Sequence, residues 1–144
     1  MAFNPQPKIK QKKVKKPSRS SLVKKLDTEF SIYIRKRFAV DNKATCFTCE
    51  KEDEWKNLQC GHFMSRKHYA TRWDEMNCQV QCVGCNVYRY GEQYKFGIHL
   101  DQVYGKGIAD ELLSKSRSVF KIKDFELIDL IEYYKNINNL PIIS

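Results

Sequence analysis

Four of the six cysteines in this 144-residue chain form two C-x-x-C pairs, Cys46 with Cys49 and Cys82 with Cys85. Each pair can supply two sulfur ligands on adjacent corners of a tetrahedron, and structural zinc is held by four such ligands. The pairs are separated by 32 residues, so one zinc ion would join the ends of a larger unit. The entropy of closing such a loop grows only slowly with its length. The spacing therefore predicts a structural zinc site.

The other two cysteines, Cys60 and Cys78, lie between these pairs. A second zinc ion would need two further ligands, and His68 is the nearest candidate in the sequence. The alternative is that both are small buried residues on neighbouring strands, because a free cysteine packs like an apolar group.

His62 stands two residues after Cys60, and the sequence allows it to be a zinc ligand, a packed core residue or a base. Asn77 follows fifteen residues later, and Asn86 comes nine residues after that, directly behind Cys85. His62 would end a strand and Asn86 would begin a helix. We therefore expect the imidazole and the amide oxygen to face each other, with Asn77 in the chain between them.

These residue types suit the hydrolysis of a phosphodiester. A neutral imidazole, with an ordinary pKa of ~6.5, can accept a proton from the attacking water at pH 7. A hard cation such as Mg²⁺ accepts amide, water and phosphate oxygens and can stabilise the leaving oxygen. The amide of Asn77 can bond the backbone on both sides of a long loop and could also orient His62.

Hydrophobic periodicity and capping residues indicate the elements that position these groups. A helix is predicted over residues 21–39, capped by Ser20 or Ser21, with an apolar stripe every four residues: Leu22, Leu26, Phe30, Ile34 and Phe38. Two short strands, 58–63 and 78–81, flank the loop 64–77. A helix from Val83 is interrupted near Gly91 and resumes to Gly105. Two further helices are predicted at 108–115 and 124–138, the second capped by Asp124.

The segments Gly61–Arg66, Arg72–Asn77 and Gln81–Asn86, with the cysteine pairs and Gly91, resemble the HNH, or His-Me finger, nucleases. Within that group they are most similar to the phage NinG (Rap) recombination proteins. The resemblance covers roughly residues 44–105. Two positions depart from the pattern: many HNH enzymes carry Asp or His where this chain has Gly61, and the NinG group often has histidine where this chain has Gln79.

The resemblance implies an α+β fold with a small zinc-stapled ββα-metal (HNH) core and flanking helices. It implies metal-dependent DNA endonuclease activity, with branched recombination intermediates such as Holliday junctions as the substrate. Position by position, His62 is the general base, Asn77 braces the loop, and Asn86 binds the catalytic Mg²⁺ or Mn²⁺. Cys46, Cys49, Cys82 and Cys85 correspond to the zinc ligands.

The net charge of +9 lies entirely in the first part of the chain, since residues 1–26 contain nine basic residues and no acidic one. A basic run with three prolines cannot bury a core, and we expect residues 1–19 to form a disordered arm that attracts nucleic acid. The expected DNA contacts are Arg66, Arg72, Lys12, Lys13, Lys15, Lys16 and Arg19. A tail that only aids solubility is the alternative.

We therefore divide the chain into the arm 1–19, an N-terminal helix region 20–43, a nuclease core 44–105 and C-terminal helices 106–144. No stretch approaches the ~18 apolar residues of a membrane span, and no signal segment is evident, so a reducing cytoplasm is expected. Resolving a junction symmetrically takes two active sites, which suggests a homodimer. A non-catalytic zinc module that binds DNA, and a homing or restriction-type HNH nickase, are the competing hypotheses.

Overall fold

The computed structural model describes residues 2–144, and within them helices surround two separate antiparallel hairpins in an α+β arrangement. A 3₁₀ turn at Trp55–Asn57 and a π-helical turn at Gly84–Tyr88 complete the regular structure. The elements are α1 Arg19–Lys36, β1 Lys43–Thr45, β2 Glu52–Glu54, β3 Gln59–His62, α2 Tyr69–Arg72, β4 Cys78–Gln81, α3 Gln93–Tyr104, α4 Ile108–Ser116 and α5 Asp124–Asn138.

Helix α1 begins two residues earlier than expected, because the side chain of Ser18 accepts a hydrogen bond from the Ser21 N–H at 3.2 Å and so caps the helix. The predicted caps Ser20 and Ser21 were wrong. The helix ends at Lys36, where the chain turns and Ala39 N–H bonds the Lys36 carbonyl. Phe38 therefore lies 69% exposed, outside the predicted apolar stripe, whose other four members are buried.

Helix α5 runs parallel to α1 and covers its apolar side. Arg19 pairs with Asp124 where the two helices begin, and Lys36 Nζ donates to the Asn138 carbonyl where they end. Between these points the Phe30 and Tyr134 rings pack edge to face at 5.1 Å. Asp124 is not the cap that we predicted; the capping residue is Lys123, whose N–H bonds the Glu126 carboxylate. The Asp124 carboxylate is thereby free to pair with Arg19.

The strands β3 and β4 confirm the two strands predicted around the long loop. They pair in antiparallel register, with Gln59 opposite Gln81 and His62 opposite Cys78. Because side chains alternate between the faces of a strand pair, Cys60, His62 and Cys78 share one face, on which Cys78 joins the core formed with α1. Gln59, Gly61 and Gln81 share the other face.

The β1–β2 hairpin was not predicted, and it carries the first cysteine pair. Cys46 N–H bonds the Lys51 carbonyl to close the hairpin loop, and Phe47 N–H bonds the Val80 carbonyl to tie that loop to β4. The Phe47 and Phe63 rings both pack against Phe96 of α3, with centroids 5.2 and 5.6 Å away. The second cysteine pair is thereby held next to the first.

The remaining segments frame this core. Residues 2–18 form neither helix nor strand, and all of them are exposed. Helix α4 packs against α2 and α3, and its Leu112 is buried with Phe96 and Leu100 of α3. Among residues 2–144 we find no helix that combines the length and the apolar sequence needed to cross a bilayer.

Candidate active site and zinc centre

The four paired cysteines form one cluster, with their sulfur atoms all within 4.8 Å of one another. Cys49 Sγ and Cys82 Sγ lie 3.6 Å apart, close to the ~3.8 Å edge of a tetrahedron with zinc–sulfur bonds of about 2.3 Å. Cys82 Sγ accepts the Cys85 N–H, and Cys85 Sγ accepts the Arg89 guanidinium. This donor set can hold a structural zinc ion.

The sulfurs of this cluster ionise unequally. Burial opposes ionisation of Cys46, yet its pKa falls to about 6 because the backbone of Cys82 and the Thr48 hydroxyl hydrogen-bond its sulfur. The pKa of Cys49 rises to about 12, through desolvation first and then through hydrogen bonds shared with the other sulfurs. A coordinated divalent cation deprotonates such thiols outright, so the cluster reaches its full charge when metal binds.

The His62 imidazole is held by the loop that follows β3. Its Nε2 lies 3.1 Å from the Arg72 carbonyl oxygen. A carbonyl only accepts, so Nε2 carries the proton and, in the neutral ring, Nδ1 keeps a free lone pair. Burial lowers the pKa of His62, and the bond to Arg72 offsets this only in part. The imidazole is therefore neutral at pH 7 and able to accept a proton at Nδ1.

Asn77 ties the two ends of the 64–77 loop together. Its side chain is completely buried. Its Oδ1 accepts the Met64 N–H at 2.8 Å, while its Nδ2 donates to the carbonyls of Met64 and Thr71, both at 3.0 Å. The loop that these bonds fix includes the Arg72 carbonyl on which His62 rests. Asn77 thus braces the loop on which the His62 ring rests.

Arg72 is anchored to α1 and is not a free cation. Its guanidinium forms two bonds to the Asp27 carboxylate, at 3.0 and 2.5 Å, and Trp73 Nε1 donates to the same carboxylate. A further nitrogen donates to the Arg66 carbonyl. With its side chain only 14% exposed, Arg72 holds the loop in place, and its contact with phosphate stays a prediction.

Asn86 lies against the other face of the β3–β4 pair. Its Nδ2 donates to Gln59 Oε1 at 2.8 Å, whereas His62 shares its face with Cys60 and Cys78. The expected face-to-face arrangement of His62 and Asn86 is therefore not observed, because the alternation along β3 separates the two contacts. In the described residues Asn86 Oδ1 has no hydrogen-bond donor, so it remains available as a ligand.

Gln81 is a residue of this region that the sequence analysis missed. It is completely buried, and its Nε2 donates to Thr48 Oγ1 and to the Gly91 carbonyl, both at 3.0 Å. Its side chain fills the space beside Gly61, where an added Cβ would lie 2.6 Å from Gln81 Cδ. Its Oε1 is without a partner among residues 2–144. Gly61 and Gln81 come together through the register of β3 and β4, and that register cannot be derived from the sequence.

The structure also places Gln79, Cys60 and Cys78, three other positions considered in the sequence. Gln79 is buried, accepts from Arg37, and donates to the Met76 carbonyl and the Tyr104 hydroxyl. Cys60 and Cys78 lie on neighbouring strands, as one of the two alternatives expected. The histidine beside them is His62 and not His68, because the ligand atoms of Cys60, His62 and Cys78 lie within 4.8 Å of one another.

The basic residues expected to contact DNA differ in whether they are exposed or paired with an acidic residue. Arg66 is exposed on the loop, and Lys12, Lys13, Lys15 and Lys16 are exposed along the arm. Arg19 is paired with Asp124 across α1 and α5, although half of its side chain stays exposed. The arm lysines and Arg66 are therefore the accessible positive charges of this set.

A family model described as "Bacteriophage Lambda NinG protein" matches residues 4–140 of the chain. The match extends well beyond both cysteine pairs and includes all five helices and most of the arm. Neither the curated proteins nor the solved structures gave a match.

Proposed function

This chain belongs to the bacteriophage lambda NinG protein family, and we propose that it is a metal-dependent DNA endonuclease of the HNH type. The proposed substrate is a branched recombination intermediate such as a Holliday junction. The observation that carries the proposal is the His62 imidazole, held by the Arg72 carbonyl as a neutral ring with Nδ1 free. A side chain oriented in this way by a braced loop suits a general base.

In the proposed reaction His62 Nδ1 takes a proton from a water molecule as that water attacks phosphorus. The bond from Nε2 to the Arg72 carbonyl strengthens as the ring becomes positive, since hydrogen bonds from charged donors are stronger than neutral ones. Asn77 keeps that carbonyl in place through its bonds to Met64 and Thr71. The Asp27 carboxylate, which pairs with Arg72, favours the imidazolium, whereas the positive charges of Arg66 and Arg72 oppose it.

Asn86 would hold the catalytic Mg²⁺ or Mn²⁺ through Oδ1. An amide oxygen is a suitable hard ligand, but a single one binds weakly, so phosphate oxygens and water would complete the shell when DNA is present. Such an ion supplies charge stabilisation for the leaving oxygen. In an in-line displacement the attacking and leaving oxygens lie on opposite sides of phosphorus. Both groups must border the same phosphate, so the proposal requires the Asn86 side chain to leave Gln59 and turn toward the His62 side of the strand pair when DNA binds.

In this proposal β3, β4 and the segment after Cys85 form a ββα-metal unit within residues 44–105, stapled by zinc on the four-cysteine cluster. The exposed arm lysines and Arg66 attract the DNA backbone without reading sequence. A homodimer would place two such sites on one junction. The chain uses the apolar residues Leu127 and Tyr134 of α5 to pack on α1, which leaves Phe125 and Tyr133 exposed for an intermolecular contact.

One observation favours a second candidate, a zinc-stapled module that binds DNA without cutting it. The contacts of His62 and Asn86 lie on opposite faces of the strand pair, as they would if each residue had only a packing role. The catalytic proposal accounts better for the free Nδ1 lone pair and for the loop that fixes it.

Cleavage assays separate the two candidates. Plasmid, linear duplex and a synthetic four-way junction are incubated with the protein in Mg²⁺ or Mn²⁺, beside His62→Ala and the control His68→Gln. We expect the wild type and the control to cleave, with preference for the junction, and His62→Ala to bind DNA without cleaving it. Binding without cleavage by all three proteins would establish the non-catalytic module, and equal cleavage of junction and duplex would favour a nickase of another class.

A further inference from the structure

Cys60, His62 and Cys78 form a second group of potential metal ligands, apart from the four-cysteine centre. Their ligand atoms lie within 4.8 Å of one another on the face of β3 and β4 that packs toward α1. Cys60 and His62 are two residues apart on one strand, and Cys78 lies opposite His62 on the next. The register of the hairpin thus brings together three side chains that the sequence separates.

A fourth donor borders the same space. The Arg72 carbonyl oxygen lies 3.1 Å from His62 Nε2 and 3.5 Å from Cys78 Sγ. Two thiolates and one imidazole are a donor set found in zinc sites that keep their fourth position open. Thiolate ligands select zinc and other soft transition metals over Mg²⁺. The ion expected here is therefore different from the one that would serve phosphodiester cleavage.

The group is accessible to an ion from solution. Metal binding there would release one proton from each thiol. Cys60 and His62 are only half-buried, which leaves a route for an ion to enter.

We propose that Cys60, His62 and Cys78 are a second transition-metal site, and that zinc bound there inhibits the protein by occupying the His62 imidazole. A metal-bound imidazole has no lone pair with which to accept a proton. The inhibition rests on the proposed nuclease function, whereas the metal site does not. His62 then has two alternative states. In one its Nε2–H donates to the Arg72 carbonyl, and in the other the ring is bound to the metal.

Cobalt titration tests the site without any activity measurement. Protein carrying one zinc ion per chain is titrated with Co²⁺, and the thiolate-to-cobalt absorption is followed for the wild type, Cys60→Ser, His62→Gln and the control His68→Gln. We expect the wild type and the control to bind one further equivalent. Cys60→Ser and His62→Gln should bind it at least about 100-fold more weakly, since loss of even an outer-shell partner costs about 10–100-fold. Indistinguishable titrations of all four, or no further equivalent in the wild type, would overturn the site.

Cleavage in Mg²⁺ with added Zn²⁺ then tests the inhibition. The wild type and His68→Gln should lose activity as the second site fills, while Cys60→Ser, which keeps the base, should remain active at the same zinc concentration. Equal inhibition of wild type and Cys60→Ser would overturn regulation through this site. If the wild type cleaves no DNA at any zinc concentration, the nuclease proposal fails, and the cobalt titration still decides whether the metal site exists.

Discussion

The side chain of Gln81 occupies the space that a side chain at position 61 would need. An added Cβ on Gly61 would lie 2.6 Å from Gln81 Cδ and 2.9 Å from Gln81 Cγ, and the two residues lie on the same face of the β3–β4 pair. The Gln81 amide is fixed by its bonds to Thr48 and Gly91. Gly61 is thus required by its neighbour, and a larger side chain such as Asp or His cannot be accommodated there while Gln81 keeps this position.

Replacing Gly61 with alanine should destabilise the protein by about 1–3 kcal/mol, the usual cost of forcing extra volume into a packed site. Gln81 would have to move and break its bonds to Thr48 Oγ1 and the Gly91 carbonyl. The free energy of unfolding, measured with urea, checks this. Gly84→Ala is the matched control, because its added Cβ would meet only the flexible end of Arg89, at 3.2 Å or more, and should change stability little. Equal stability of Gly61→Ala and wild type would show that Gln81 does not fill this space.

Replacing Asn77 with alanine should cost about 2–4 kcal/mol, because it leaves the N–H and the carbonyl of Met64 without partners and each buried orphan costs about 1–3 kcal/mol. The Thr71 carbonyl still accepts the Asp74 N–H. Asn77→Asp keeps the acceptor for Met64 N–H but loses both donated bonds, so it should not restore stability. The control is Asn57→Ala, since Asn57 is exposed and bonds only Asp53. Cleavage should fall in Asn77→Ala even under conditions where the variant is fully folded. Full activity of the folded variant would show that Asn77 is not needed to orient His62.

Acidification should reduce both stability and cleavage through His62. Burial lowers the pKa of this residue in the folded chain below its ordinary value of 6.5. Well above pH 6.5 the ring is neutral in both the folded and the unfolded chain, so its titration does not change the free energy of unfolding there. Below it the unfolded chain binds the proton more readily, so the free energy of unfolding decreases as pH falls from about 6.5 through the folded pKa.

Two measurements check this pH dependence. Urea denaturation between pH 7.5 and pH 5 should show a decrease in stability that is smaller in His62→Gln than in the wild type. The cleavage rate should stay constant from neutral pH down to below 6.5 and decline only at the lowered pKa. A cleavage rate that already falls by half at pH 7 would mean that the general base is not His62, whose pKa is lowered by burial.

Removing zinc should unfold the part of the chain that carries the two cysteine pairs. The buried apolar cluster there is small, with Leu58 and Val80 as its largest aliphatic members, so metal binding has to supply much of the stability. A strong chelator should abolish the thermal transition of this part, while far-ultraviolet circular dichroism should retain signal from α1 and α5, which have their own core around Phe30 and Leu127. Added zinc should reverse the change. An unchanged melting temperature after chelation would contradict a structural zinc ion.

Local patterns predicted most of the fold. The stripe from Leu22 to Ile34, the strands around His62 and Cys78, and the helix 124–138 follow from periodicity and were confirmed. One element was missed altogether, the β1–β2 hairpin. Other errors lie at element ends: Ser18 replaced the predicted cap of α1, and Phe38 fell outside the helix. Those ends depend on how the chain turns and on tertiary partners such as Arg19 and Asp124, which a local pattern does not contain.

The site was predicted less completely, because its geometry depends on register and side-chain pairing. Sequence spacing indicated the four-cysteine cluster and proposed His62 and Asn77 as candidate site residues. It did not indicate that His62 and Asn86 approach different faces of the strand pair, that Asp27 neutralises Arg72, or that Gln81 fills the space at Gly61. Each of these follows from which residues the hairpin and α1 place next to one another.

The protonation state of the His62 ring tests the central claim most directly, since the proposed chemistry requires a neutral imidazole with its proton on Nε2. Long-range ¹⁵N–¹H correlation spectra of the protein, with His62→Gln for assignment, report which ring nitrogen is protonated and follow its titration. The Nε2–H form with a pKa below 6.5 is the result expected from the bond to the Arg72 carbonyl. A proton on Nδ1, or a ring already charged at pH 7, would contradict the account.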